Sequence, residues 1–304
     1  MMTLQDLFQL YRSKRLRFRS DNTIRLYNHT LNSFGKTLGR VPTVGDLSND
    51  AVADHMSRVT REGRSPATAN KDRSQLLALW RFAATHRIVD HWPDIQSMKE
   101  PEIVPMGWMP DELASMFAAA RAMKGIVVDV PASAWWEALI RCLVDTGERI
   151  GAIRQLKRCH WQNEWLLVPA AMRKGQRRDR LYPISPATAE GLKRLCDKRS
   201  STSLIFPWGL SDTYIYRRFD VLLAAAGLPT DRRSKFHRIR RTVASAVAEA
   251  GGNPSEALDH ASPKTTKRYL DPRIVGTQPV DSILANYLAN PRKPRQLPGE
   301  QKIG

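Results

Sequence analysis

Residues 165–185 read WLLVPAAMRKGQRRDRLYPIS, two short apolar runs either side of a basic turn centred on Gly175. Such runs bounded by turn residues are the pattern of a β-hairpin. The chain around it follows a different period. Upstream, DELASMFAAARAM and ASAWWEALIRCLVDTG carry apolar residues at helical spacing. Downstream, the helical pattern resumes at Ala187, Ala189, Leu192 and Leu195, continues past Tyr214 to Leu223, and returns from Phe236 to Ala250. One small antiparallel sheet inside a mainly α domain is the expectation for this part of the chain.

The first hundred residues lack strand-like alternation. Leu4, Leu7, Phe8 and Tyr11, and again Leu76, Leu77, Leu79, Trp80 and Phe82, recur at helical spacing. Ser20 or Asp21 ahead of NTIRLYNHTLNSF, and Ser65-Pro66 ahead of ATANKDRSQLLALWRFAATH, supply N-cap signals, the second with proline in the first turn. Residues 1–100 therefore read as a small helical bundle. Pro101, Pro105 and Pro110 follow closely, a density that neither a helix nor a central strand tolerates, so 101–110 is the expected linker. A second domain is expected over 111–290. The polar, proline-rich stretch 291–304 is expected to be a disordered tail. Within 281–290, DSILANYLAN sets Ile283, Leu284, Tyr287 and Leu288 on one helical stripe.

The chain has 304 residues, with 48 Lys+Arg against 30 Asp+Glu, a formal net charge of +18. A surface this basic points to a polyanionic partner. The three cysteines, Cys142, Cys159 and Cys196, form no CxxC pair, and neither a disulfide framework nor a zinc site is expected. No acidic cluster has nuclease spacing and no GxxxxGK[ST] loop occurs, so no metal, ATP or other cofactor is expected. With no apolar run near the ~20 residues of a membrane span and no ordered secretory signal, the cytoplasm is the expected location, with no membrane partner.

Four segments could carry chemistry: DTGERIGAIRQL (145–156), MRKGQRRDRLYPIS (172–185), FHRIRRT (236–242) and LDHASPKTTKRYLDP (258–272). In order and spacing they resemble the catalytic domain of the tyrosine recombinases, the phage-integrase family. There the segments run TGxRxxEL, a hairpin bearing lysine, HxxRH, and LGHxxxxTTxxY. The resemblance covers 109–272 by motif, and residues 3–100 are more loosely similar to that family's helical core-binding domain. It implies catalytic roles for Arg149, Lys174, His237, Arg240, His260 and Tyr269, with Tyr269 as nucleophile in a short helix begun by Ser262 and Pro263 and ending near Asp271-Pro272. Three departures stand out: Ala152 replaces an acidic residue, Arg241 a histidine, and Asp259 a glycine.

The residue types suit the implied reaction. Phosphodiester cleavage needs a nucleophile, charge stabilisation of a pentacoordinate phosphate, and a proton for the departing 5′ oxygen. Guanidinium groups donate paired hydrogen bonds to phosphate oxygens and stay charged at any relevant pH. His237 and Arg240, three apart on a helix, share a face.

For DNA contact the resemblance points to the helix around Arg64, Lys71 and Arg73 and to SDTYIYRRFD with Arg217 and Arg218. The basic hairpin adds Arg177 and Arg178. The implied partner is double-stranded DNA at a specific recombination site, held between the two domains, with a homo-tetramer on two sites exchanging strands. The implied activity is integration and recombination of a mobile element. A type IB topoisomerase-like enzyme that relaxes any supercoil, and a non-catalytic DNA-binding relative, are the alternatives.

Overall fold

A computed structural model describes residues 1–173, 175, 178–197, 199–259 and 262–276. The chain divides into two compact units, Met1–Glu102 and Ile103–Gly304.

The first unit is built from α1 (Leu4–Arg15), α2 (Asp21–Leu38), α3 (Asn49–Arg61) and α4 (Pro66–Thr85). Local chemistry sets their starts. Thr3 and Asp6 form a reciprocal capping box at α1. The Ser48 side chain accepts from the Ala51 amide, and Ser65 caps α4 with Pro66 at the first turn. The helices meet over Leu4, Leu7, Phe8, Leu31, Phe34, Leu76, Leu77 and Trp80, all buried, and burying one such side chain stabilises by about 1.5–3 kcal/mol. A polar network threads this core. His55 faces Thr37 Oγ1 at 2.7 Å, and Asp72 accepts from Thr30 Oγ1 at 2.5 Å and from Lys71 Nζ at 2.7 Å. Burial works to raise the Asp72 carboxyl, but its bonds to His55, Lys71 and Thr30 outweigh it and hold it well below the ordinary range.

In the second unit α5 (Pro110–Ala122) leads to a short hairpin of β1 (Ile126–Val127) and β2 (Val130–Pro131). Then come α6 (Ala132–Thr146), α7 (Ile150–Ile153) and a three-stranded antiparallel sheet of β3 (Trp161–Gln162), β4 (Trp165–Val168) and β5 (Arg180–Pro183), in the order β3-β4-β5. Helices α8 (Pro186–Cys196), α9 (Asp212–Ala225), α10 (Phe236–Glu249), α11 (Pro254–Ala257) and α12 (Pro263–Lys267) follow. Leu166 pairs with Tyr182 and Val168 with Arg180. Leu166 and Val168 are fully buried while Trp165 is 46 % exposed, the alternation of a sheet with one face on the core.

Helix α6 is the centre of that core. Trp136 stacks on Phe219 and Phe236, and Phe219 on Phe236 at 4.1 Å between centroids, contacts worth about 0.5–1.5 kcal/mol each beyond area burial. Because Phe236 opens α10, this stack fixes where α10 begins.

Mainly α with a small antiparallel sheet is the fold expected from the sequence, with three differences of detail. The helical pattern from Ala187 to Leu223 is broken between α8 and α9, where Pro207 and Gly209 interrupt it. Strand β3 and the β1–β2 hairpin have no counterpart in the reading, because two-residue strands leave no alternation to detect. The short helix α12 ends at Lys267, so Tyr269 lies beyond it in a turn. The stripe of 281–290 and the tail 291–304 fall outside the described residues.

Candidate active site

The first arginine is placed by a helix ending. Gly147 terminates α6 with a left-handed backbone (φ 61°), and a Cβ there would meet Leu258 and Val243 side chains at 3.0 Å, so both conformation and space require glycine. Two residues later Arg149, half-buried, caps α7.

Arg240 lies inside α10 at 1 % exposure. Its Nη1 donates to the Gly147 carbonyl at 2.5 Å and its Nη2 to the Leu258 carbonyl at 2.6 Å. The guanidinium is thereby fixed between the end of α6 and the end of α11. Burial pushes its pKa down and the nearby Arg149 charge pushes the same way. An anion bound between the two charges would relieve that repulsion.

Tyr269 approaches Arg240 from the same chain. Ser262 caps α12, the Tyr269 amide donates to the Thr266 carbonyl at 2.8 Å, and the Tyr269 carbonyl accepts from Ser245 Oγ of α10 at 3.3 Å. The half-buried ring sits edge-on to His237 at 5.1 Å between centroids, and the Arg240 guanidinium carbon is 6.0 Å from the ring centre. His237 itself is exposed in the first turn of α10. Arg241, in the place where the family pattern has histidine, is half-buried; burial lowers its pKa and the Tyr269 phenol draws it the other way.

The segment after the tyrosine is also anchored. Asp271, fully buried, donates its amide to Ser245 Oγ at 2.8 Å and accepts from the Gly107 amide and Arg273 Nη2, each at 2.7 Å. Burial works to raise the Asp271 carboxyl, but the Arg273 and Gly107 bonds outweigh it and hold it low.

Lys174, Arg177 and His260 fall outside the described residues, whereas Arg173, Arg178 and Asp259 beside them are described. Arg173, 5 % exposed, donates to Glu148 Oε1 at 2.6 Å and to Asp259 Oδ2 at 2.8 Å. Glu148, 2 % exposed, also accepts from the Tyr182 hydroxyl at 2.7 Å, and Asp259 accepts from Arg178 Nη2 at 2.8 Å. Asp259 holds a left-handed backbone (φ 52°) where the family pattern has glycine, a conformation that aspartate tolerates better than most residues. Burial followed by the Glu148 charge pushes the Tyr182 phenol up to about 12. Sequence reasoning did not single out Glu148 or assign Arg173 and Asp259 a partner.

The candidate DNA-contact residues are distributed over both units. Arg64 is exposed ahead of α4. Lys71 pairs with Asp72, and Arg73 donates through Nε to the Ile95 carbonyl at 3.0 Å, so both are committed within their own unit. Arg217 is exposed and Arg218 half-buried on α9, and Arg178 is exposed beside the hairpin turn. Among the described residues no helix is long and apolar enough to cross a membrane, and no group of three or more His, Cys, Asp or Glu side chains is placed to hold a metal ion.

The phage integrase family model matches residues 109–274. A lambda integrase dimer bound to a COC′ core site aligns at 19 % identity and TM-score 0.69, over 91 % of this chain and 80 % of that one. The Tn1549 transposon integrase in complex with a circular intermediate DNA aligns at 16 % identity and TM-score 0.70, over 95 % and 100 %. A lambda integrase tetramer bound to a Holliday junction aligns at 20 % identity and TM-score 0.69, over 91 % and 79 %. No curated protein matches the chain. The fold is that of a tyrosine recombinase. The chain belongs to the phage integrase family.

Proposed function

We propose that the protein is a site-specific DNA recombinase that cuts and rejoins DNA through a 3′-phosphotyrosine, without metal or ATP. The observation that carries this reading is the meeting of Tyr269 with His237 and the buried Arg240 in one chain. In the cleavage step the Tyr269 oxygen attacks the scissile phosphorus, the new O–P bond forms, and the bond to the 5′ oxygen breaks. Arg149 and Arg240 hold the non-bridging oxygens as negative charge builds on them. His237 and His260 handle the phenol proton and the phosphate hydrogen bonds. Lys174 protonates the departing 5′ oxygen. A 5′-hydroxyl from a partner strand then reverses the sequence, and the phosphate ester is conserved throughout. The partner is duplex DNA at a specific site, and four protomers on two sites complete the exchange. Relatives captured as a dimer on a core site and as a tetramer on a Holliday junction support that assembly.

The test is covalent capture on a nicked suicide substrate, from which the short cleaved fragment diffuses away. Wild-type protein should form a denaturant-stable adduct in the presence of EDTA. Tyr269→Phe should form none while binding DNA nearly as well. An adduct with the phenylalanine variant, or cleavage that returns only with magnesium, would refute the assignment.

A further inference from the structure

Three of the proposed catalytic residues are each preceded by a member of one ionic network. Glu148 precedes Arg149, Arg173 precedes Lys174, and Asp259 precedes His260. Arg173 bonds both carboxylates, at 2.6 Å to Glu148 and 2.8 Å to Asp259. The three residues come from different parts of the chain: the turn between α6 and α7, the turn between β4 and β5, and the turn after α11. Consecutive Cα atoms are only about 3.8 Å apart, so fixing one residue confines the next. The network also costs something to keep. A buried ion pair gains little over an apolar replacement unless its geometry is good and its remaining polar atoms are satisfied, and here Tyr182 and Arg178 satisfy them. Asp259 further holds a left-handed backbone that glycine would take more readily.

Resting on the recombinase reading above, we propose that Asp259 is a positioning residue: through Arg173 and Arg178 it holds the β4–β5 turn so that Lys174 meets the departing 5′ oxygen. The two arginines lie on either side of Lys174 in sequence, so Asp259 grips the turn at both ends. Without it the tie between the turn and the segment after α11 is lost. Among the described residues Glu148 still holds Arg173, the Ala170 amide still donates to Asp179 Oδ1 at 2.7 Å, and Arg173 Nη1 still donates to the Arg178 carbonyl at 3.2 Å.

The experiment compares single-turnover cleavage at saturating DNA on two substrates, one with the normal phosphodiester and one with sulfur as the 5′ bridging atom. A thiolate has a conjugate acid of pKa about 8.5 and leaves without a proton donor, so the sulfur substrate does not register a misplaced acid. Asp259→Gly relieves the backbone and removes both ion pairs. It should slow cleavage of the normal substrate by on the order of 100-fold, the cost of a misplacement of about 1 Å. It should cleave the sulfur substrate at close to the wild-type rate, and saturating DNA keeps any affinity gained from the freed Arg178 out of the comparison. Asp259→Asn tolerates the left-handed backbone and keeps one acceptor; it should fall between glycine and wild type, and it carries the test if the glycine variant fails to fold. Lys174→Ala should show the same rescue by sulfur, and the double variant should be no slower than Lys174→Ala alone. Equal slowing on both substrates, or a wild-type rate on the normal one, overturns the inference while leaving the recombinase reading intact. If the wild-type protein forms no adduct with either substrate, the recombinase reading fails and this inference fails with it.

Discussion

Arg149 and Arg240 have the same proposed task and different structural debts. Arg240 bonds two buried carbonyls, those of Gly147 and Leu258. Removing it leaves acceptors unpaired at about 1–3 kcal/mol each. Arg149 is half-buried at the start of α7. Both alanine variants should cleave at least about 10²-fold more slowly, the cost of losing one transition-state donor. Only Arg240→Ala should also lose several kcal/mol of stability in urea titrations. Equal stability of the two variants would mean that the carbonyl bonds are replaced, by water or by a shift of α11. Arg240→Lys separates the two debts further: it keeps the charge, but a point donor cannot span both carbonyls as the planar fork does.

At the scale of elements, the sheet reaches the site through Tyr182 of β5, whose hydroxyl donates to Glu148 at 2.7 Å. Tyr182→Phe keeps the ring and removes that bond to a charged group, which should destabilise by about 1.5–3 kcal/mol at neutral pH. The pH dependence has a definite sign. The folded-state pKa is about 12 against an ordinary 10.0, so the folded state holds this proton more tightly. The stabilisation is full below pH 10 and is lost as pH rises toward 12. The stability gap between wild type and Tyr182→Phe should therefore narrow across that window in chemical denaturation. A gap that stays constant to pH 12 would show that Tyr182 does not titrate there.

Elements also mark how far the sequence could be read. Ser65-Pro66 begins α4 and Ser262-Pro263 begins α12 as the cap signals predict, because capping is a local interaction between neighbours. The end of α12 at Lys267 was not legible, since no glycine or proline marks it and the turn that follows is tied to α10 through Ser245. The motif residues His237, Arg240 and Tyr269 could be named from the resemblance to the family's motifs, whereas the Glu148–Arg173–Asp259 network could not. Its partners lie 25 and 86 residues apart. A charged residue bound for burial looks in sequence like any other charged residue. Asp259 was visible only as a departure from a pattern.

For the whole molecule the governing quantity is charge. A formal charge of +18 from 48 basic residues makes counterion release the expected source of most of the DNA affinity. The logarithm of the binding constant should fall linearly with the logarithm of salt concentration. If about 6–10 phosphates are neutralised, affinity should drop by about 10³–10⁵ between roughly 50 and 200 mM salt. The proposed contacts predict how that slope divides. Lys71 and Arg73 already have partners in their own unit, Asp72 and the Ile95 carbonyl, so Arg73→Ala should change the slope little and act mainly on stability. Arg217, exposed on α9, has charge to give. If it neutralises a phosphate, Arg217→Ala should lower the slope by about one and weaken specific and non-specific DNA alike. If instead it reads a base edge, the slope should hold and only the ratio of specific to non-specific binding should fall, by about 1–3 kcal/mol. Fluorescence anisotropy on matched and scrambled duplexes at four salt concentrations distinguishes these outcomes. An unchanged slope together with an unchanged ratio would remove Arg217 from the interface, and a wild-type affinity insensitive to salt would sink the electrostatic account as a whole.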